Sequence, residues 1–306
     1  MSARRGAILL WTSLKNARAP GLSGARCSWY ADHASISDAV RAACIDAAVN
    51  ASPDLIAAFQ RAAAAEESEI GRQTIQRLLD NCRIADEQNI PICQDTGLAV
   101  FFVERGEEVT VDGIGMSAAI ADGVRRGYAD GYLRKSSCHC LTRKNYGDNL
   151  PPIIHTDIVP GERLRLFFMA KGGGSENMSA VGLLKPAQGE KGIIDLVVST
   201  VERAGPNPCP PIIVGVGVGG TFERAAVNSK RALLREIGAP STDPDAARME
   251  AETLRRVNAL GIGPEGFGGR MTCLGVHIII EPCHLASMPV AVNIQCHANR
   301  HRTIEL

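Results

Sequence analysis

The chain has 306 residues, with 33 basic and 33 acidic side chains, 45% hydrophobic and 22% charged residues; this is the composition of an ordinary globular protein with ample chain for a core. Formal neutrality argues against a nucleic-acid groove, which needs clustered Lys and Arg against phosphate. No uninterrupted apolar run approaches the ~20 residues that span a bilayer: the longest candidate, Pro210 to Gly220, is broken by glycines.

The first 31 residues hold Arg4, Arg5, Lys15, Arg18 and Arg26 and no acid. Such a start reads as a disordered extension or as an organellar transit peptide. Residues 1–35 are therefore expected to lie outside the fold, and the location to be cytoplasmic unless this segment directs import. From Ser35 the chain becomes helical: Ser35 and Asp38 form a capping-box-like start, and Ile36, Val40, Ala43 and Ala47 share one face. Ser52-Pro53 opens a second helix. A third runs through Ile70, Thr74, Leu78 and Cys82 and stops before Asn89-Ile90-Pro91. Leu98 to Val103 reads as a buried strand, and Ser117 to about Leu133 as a helix containing three glycines. Leu164 to Ala170 is a further strand, followed by the loop Lys171-Gly172-Gly173-Gly174-Ser175-Glu176-Asn177. Ile193 to Arg203 is a helix closed by Gly205, Ile212 to Val218 a strand, and Thr221 caps the helix after it. Pro244 starts a charged helix ending at Gly261. Met271 to Ile280 and Pro289 to Gln295 are β-rich. The elements interleave without a strict βαβ period or an internal repeat. They predict a mixed α/β fold, with a helical N-terminal region followed by β-rich segments, in one unit over residues 36–306.

Several motifs compete to define the chemistry. Gly215-Val216-Gly217-Val218-Gly219-Gly220 fits G-x-G-x-x-G between a strand and a helix, the position of a dinucleotide fingerprint. The helix after it leads into Gly238-Ala239-Pro240 and another helix, however, not into the strand whose acid would hold a ribose. A tight backbone turn is the better reading. Cys138-His139-Cys140 suggests a metal, but ligands at i and i+2 rarely both face one tetrahedral ion and no C-x-x-C lies nearby. A dinucleotide-binding oxidoreductase and a zinc-stabilised structural subunit thus stand as alternatives.

The ten cysteines fall well below disulfide-scaffold density, and most are expected to be reduced, buried and inert. Three differ by position. Cys93, in Cys93-Gln94-Asp95-Thr96-Gly97, precedes a strand. Cys209 is flanked by prolines in Asn207-Pro208-Cys209-Pro210-Pro211, and Cys296 ends the last β run. Three thiolates without a fourth suit a cubane iron–sulfur cluster with one open iron, although intervals of 116 and 87 residues are no signature.

At these residues the sequence resembles the α subunit, or N-terminal half, of the class I fumarate hydratase and L-tartrate dehydratase family of iron–sulfur hydro-lyases. The matching segments are Ile92 to Gly97, Leu133-Arg134-Lys135-Ser136, Arg143 to Asn149, Lys171 to Asn177, Cys209-Pro210-Pro211, Gly268-Gly269-Arg270 and Cys296-His297-Ala298. The resemblance implies a 4Fe–4S cluster held by Cys93, Cys209 and Cys296. It also implies that Gln94, Asp95, Arg134, Gly174 and His284 approach a hydroxy-dicarboxylate of the fumarate/malate or tartrate/oxaloacetate kind. His284 stands twelve residues before Cys296, as the family's active-site histidine does before its third ligand. Chemically, an iron with an open position can act as a Lewis acid on a departing hydroxyl. Arg134 suits a carboxylate, the glycine loop offers unobstructed N–H groups, and Asp95 and His284 suit proton transfer. Asp95 as an Asx turn and Arg134 as a helix-end charge are the non-catalytic alternatives. The family's second half should follow Ala298, but only eight residues do. The expectation is a separate β subunit and an α2β2 assembly.

Overall fold

In a computed structural model of the protein, residues 29–306 are described; the expected targeting or disordered extension falls mostly outside them. Ahead of residue 36, strand β1 (Trp29–Ala31) pairs in parallel with β3 (Val109–Val111). Helix α1 (His33–Val49) starts two residues before Ser35 because Asp32 is its cap: the Ser35 backbone N–H and hydroxyl donate to the Asp32 carboxylate at 2.9 and 2.5 Å. Helices α2 (Pro53–Ala65) and α3 (Glu69–Gln88) follow, α3 closing on Asn89 in the left-handed region. By length and composition alone, residues 33–65 could cross a membrane. They form two helices parted at residues 50–52, and Ile36, Val40, Leu55 and Phe59 are buried within the protein.

The described residues form two compact units. The first comprises the described residues up to Ala48, Gln94–Ala170 and Arg300–Leu306, the second Val49–Cys93 and Lys171–Asn299. Composition conceals this division. The chain changes unit inside or beside regular elements, at the end of α1 and at the end of β5 (Leu164–Lys171), so no Pro- or Ser-rich linker marks a boundary.

In the first unit a four-stranded sheet runs β10 (His301–Glu305), β5, β2 (Leu98–Gly106), β4 (Ile153–Val159), with β10 antiparallel to β5 and β4 parallel to β2. Its core joins Phe101 and Val103 of β2 and Leu166 and Phe168 of β5 to α1 and α4 (Met116–Asp130). A β-carbon at Gly123 of α4 would lie 2.6 Å from the Ser37 carbonyl oxygen, so a glycine inside this helix is what lets α1 approach.

The second unit's sheet runs β6 (Ala180–Leu184), β9 (Met288–Gln295), β7 (Ile212–Gly220), β8 (Cys273–Cys283). Strand β7 is parallel to β8 and antiparallel to β9. Helices α6 (Gly189–Ala204) and α8 (Pro244–Asn258) supply Val197, Val201, Met249 and Val257 to one core with the sheet's Val214, Val216, Val292 and Ile294. Helix α7 (Phe222–Ala232) packs on β7. Its approach explains the glycine motif. A β-carbon on Gly215 would sit 2.0 Å from the Ser229 carbonyl oxygen, and one on Gly217 2.1 Å from that of Ala225. The spacing serves helix-on-strand contact.

Candidate active site

The antiparallel pairing of β7 and β9 brings two of the singled-out thiols to one place. Ile213, near the start of β7, is opposite Gln295, the last residue of β9. Cys209 lies just before the former and Cys296 just after the latter. The two turns are also hydrogen-bonded directly, the His297 N–H donating to the Cys209 carbonyl at 3.3 Å. Cys209 itself has φ of +55°, a left-handed conformation costly for a residue with a β-carbon, held between Pro208 and Pro210. Cys93 arrives from the end of α3, where the Asn81 side-chain amide donates to the Ile92 carbonyl at 2.9 Å. Cys93 and Cys296 pack on one small apolar cluster with Ala51, Ala85, Ile92 and Ala298.

The three are close enough for their charges to matter. The Cys209 thiol is pushed up to about 11, first by burial and then by the proximity of Glu265, Cys296 and Cys93. Neighbouring thiols of this kind are donors that a cationic iron centre would deprotonate on coordination. The donor set therefore fits a cluster. Among the described residues no three His, Cys, Asp or Glu side chains are grouped to hold a single metal ion; in a cubane each thiolate has its own iron, so no such tight grouping is needed. None of the described cysteines forms a disulfide, and Cys44, Cys82 and Cys273 are buried in the cores.

Glycine 174 joins this group. The segment read as a loop makes one helical turn, α5 (Gly173–Glu176), in which a β-carbon on Gly174 would meet only the Asn207 carbonyl oxygen, at 3.8 Å. The turn is held by Lys171, whose buried ammonium donates to Ser175 Oγ and the Ile294 carbonyl, both at 2.8 Å, and lies 3.3 Å from Glu176. Burial lowers the Lys171 pKa to about 8 against the opposing pull of Glu176 and Cys296. Glu176 in turn meets Lys230 at 2.5 Å and Asn293 at 3.1 Å. Beside Cys209, the Glu265 backbone N–H donates to the Pro210 carbonyl at 2.6 Å and its carboxylate lies 3.3 Å from His297 Nε2. Burial holds that carboxyl above its usual range.

Gln94, Asp95 and Arg134 belong to the first unit. Asp95 Oδ1 accepts the Gly97 N–H at 3.0 Å, so the Asx turn weighed from sequence does form. The Thr96 hydroxyl donates to the Arg134 carbonyl at 2.9 Å, which fixes the start of the 134–149 segment beside this turn. Tyr128 Oη lies 2.9 and 3.0 Å from the carbonyls of Thr96 and Gly97, and the Asn149 amide donates to the latter at 3.1 Å. Gln94 and the Arg134 side chain are exposed on this frame. In Cys138-His139-Cys140, His139 Nδ1 accepts the N–H groups of Leu141 and Thr142 at 3.2 Å, which gives the histidine a turn-forming role.

His284 is not with the thiols. It sits exposed at the tip between β8 and β9, its Nδ1 accepting the Ala286 N–H at 3.1 Å. Cys296 is at the other end of β9, about 25 Å away at ~3.3 Å per strand residue. Twelve residues of spacing are taken up by the turn and the whole returning strand.

The sequence pattern of the fumarate hydratase (fumerase) family matches residues 37–305. A Methanocaldococcus jannaschii protein provisionally named L(+)-tartrate dehydratase subunit alpha is 40% identical over 271 residues, covering 87% of this chain and 95% of its own. The L(+)-tartrate dehydratase subunit alpha of Escherichia coli strain UTI89 is 32% identical over 257 residues, 83% and 84% of the two chains. That of strain K12 is 31% identical over 255 residues, 82% and 84%.

Proposed function

This chain belongs to the fumarate hydratase family, and from that premise we propose that it is the cluster-binding subunit of a hydro-lyase that removes water from, or adds it to, a small hydroxy-dicarboxylate of the malate or tartrate class. The observation that supports the reading is the approach of Cys93, Cys209 and Cys296 from three distant chain segments: the β7–β9 pairing joins the Cys209 and Cys296 turns, and Cys93 and Cys296 pack on one apolar cluster. These three would hold a 4Fe–4S cluster, and the cluster when bound supplies a Lewis acid for the hydroxyl that leaves or enters.

The chain's own residues supply binding and proton transfer. Arg134 presents five donors in a planar fork and takes one carboxylate of the substrate bidentately. Gln94 orients the substrate with its amide. The Gly172-Gly173-Gly174 turn offers backbone N–H groups to a carboxylate or an oxyanion, and Lys171 keeps that turn in place. Asp95, its Oδ1 engaged by Gly97, transfers a proton at the substrate carbon. Relatives carry the name subunit alpha, which supports a second, β-type subunit that covers the iron from bulk water. The assembly proposed is α2β2, the common symmetric outcome for paired halves.

Anaerobic purification with the candidate partner, iron and sulfide analysis, and assays on malate, fumarate and both tartrate enantiomers test the reading. Cluster-dependent turnover of one of these substrates, appearing on mixing the subunits, is the expected result. Zinc without sulfide, or turnover unaffected by removal of iron, overturns it.

A further inference from the structure

Arg300 is among the largest fully buried side chains of the protein, at 1% exposure. Burying a guanidinium costs far more than burying an apolar side chain of similar volume, unless its donors are satisfied. Here they are not all satisfied: Nε finds no hydrogen-bond partner among the described residues. What the guanidinium does make is one short bond, Nη1 to the backbone carbonyl of Asp95 at 2.5 Å. Its mount is rigid, because the Arg300 carbonyl accepts the Ala170 N–H at 3.0 Å where β10 leaves β5. Arg300 and Asp95 are also both near enough to the buried Tyr128 hydroxyl for their charges to act on it.

A residue retained for packing would not carry an orphaned charged donor into the core. We infer that Arg300 is a positioning residue for the Asp95 turn. Its guanidinium clamps the Asp95 peptide from the buried side, while Tyr128 and Asn149 hold the next two carbonyls. Together they fix three consecutive peptides, the frame from which the Asp95 carboxylate, its Oδ1 on the Gly97 N–H, is presented. Misplacement of a reacting group by about 1 Å costs on the order of a hundredfold in rate. The inference rests on the hydro-lyase reading for its catalytic consequence alone.

The test uses the full chain with its partner subunit and two variants, Arg300→Met and Arg300→Lys. The first readout needs no activity: amide hydrogen exchange of the peptide spanning residues 94–97, against control peptides in β5 and β10. Exchange at 94–97 should rise about tenfold or more in Arg300→Met with the controls unchanged, and Arg300→Lys should restore part of the protection. In the kinetic arm, kcat should fall about 10- to 100-fold in Arg300→Met with KM within about threefold, and Arg300→Lys should lie between. Unchanged exchange at 94–97 overturns the assignment. So does exchange raised equally in the controls, which would make Arg300 a general core residue, and so does a raised KM at constant kcat. Absence of hydro-lyase turnover in the unmodified complex would sink the proposed function while the exchange arm still decides the role of Arg300.

Discussion

Glu66, one residue past α2, accepts three backbone N–H groups: Ser68 at 2.9 Å and Arg270 at 3.0 Å on Oε1, and Met271 at 2.7 Å on Oε2. It is buried to 3% exposure. Two glycines make room for it, since β-carbons on Gly71 and Gly269 would come within 2.8 and 2.7 Å of its side chain. Replacement by Ala leaves three N–H groups without an acceptor and should cost about 4 kcal/mol, within the range for breaking a buried charged constellation. Gln keeps an amide oxygen for Ser68 and Arg270 but turns an NH2 on Met271, and should cost about 2 kcal/mol, one charge-assisted bond. For a domain of this size these are falls of about 12 and 6 °C in Tm. Burial opposes ionisation of Glu66, yet the N–H groups of Arg270, Ser68 and Met271 together outweigh it and hold the carboxyl below its usual value. A depressed folded-state pKa stabilises fully above the ordinary carboxylate range and is lost as pH falls through the folded value. The gap between the unmodified chain and Glu66→Gln should therefore be widest at neutral pH and close on acidification. Thermal unfolding of both variants between pH 3 and 7 measures it. A cost below about 1 kcal/mol for Ala, or a Gln gap that does not narrow in acid, would refute the reasoning.

Cys93→Ser, Cys209→Ser and Cys296→Ser should each abolish cluster incorporation while Cys138→Ser and Cys140→Ser leave iron and sulfide content intact, because a hydroxyl is a poor substitute for thiolate; iron loss confined to the second pair would reverse the ligand assignment. Asp95→Asn should lower kcat by a factor on the order of 10² to 10⁴ at normal cluster content, and Arg134→Ala should chiefly raise KM; near-normal kcat in Asp95→Asn would reduce that residue to its Asx turn. Gly217→Ala forces a methyl against the Ala225 carbonyl and should destabilise by roughly 3 kcal/mol in denaturant unfolding; a neutral outcome would remove the packing account of the glycine motif.

The central helices and strands were legible because each is long enough for its period to show, and α3, α4 and α6 are closed by Asn or Gly. The elements that escaped are short or lie at sheet edges: β1, β3, β4, β6 and β10 have little apolar period, and Ile158 of the edge strand β4 is 70% exposed. Placing the three cysteines at element boundaries was also a local reading, and it agrees with where the chain puts them. What a sequence does not show is which boundaries meet, and here that depends on β7 running against β9. The same limit hid Glu66, Glu265 and Arg300. Glu66 finds Arg270 204 residues away, and Arg300 finds Asp95 205 away. A lone buried charge becomes readable only once its distant partner is known. The glycine motif failed in the opposite way: its spacing is real, but close approach to a helix and close approach to a pyrophosphate ask for the same residue.

His284 brings the spacing argument to its sharpest test. Within one chain it lies about 25 Å along β9 from Cys296, beyond the reach of any side-chain rotamer, so it cannot move a proton at its own chain's thiols. Its tip is built to project: Leu285 beside it is 94% exposed, and the turn is closed by Ser287 N–H donating to the His284 carbonyl at 2.9 Å. If the proposed assembly holds two α-type subunits about a two-fold axis, His284 can serve catalysis in the second copy of the chain. Complementation follows from that geometry. His284→Ala and Cys209→Ser should each be inactive when produced alone with the partner subunit. Produced together, half of the α pairs are mixed, and each mixed pair holds one site with intact thiols and an intact histidine donated by its neighbour. Activity should return to about a quarter of the unmodified level. Complementation failing while mixed pairs are shown to form by mass spectrometry, with His284→Ala still inactive, would place the histidine's effect within its own chain. Full activity of His284→Ala would take it out of the reaction altogether.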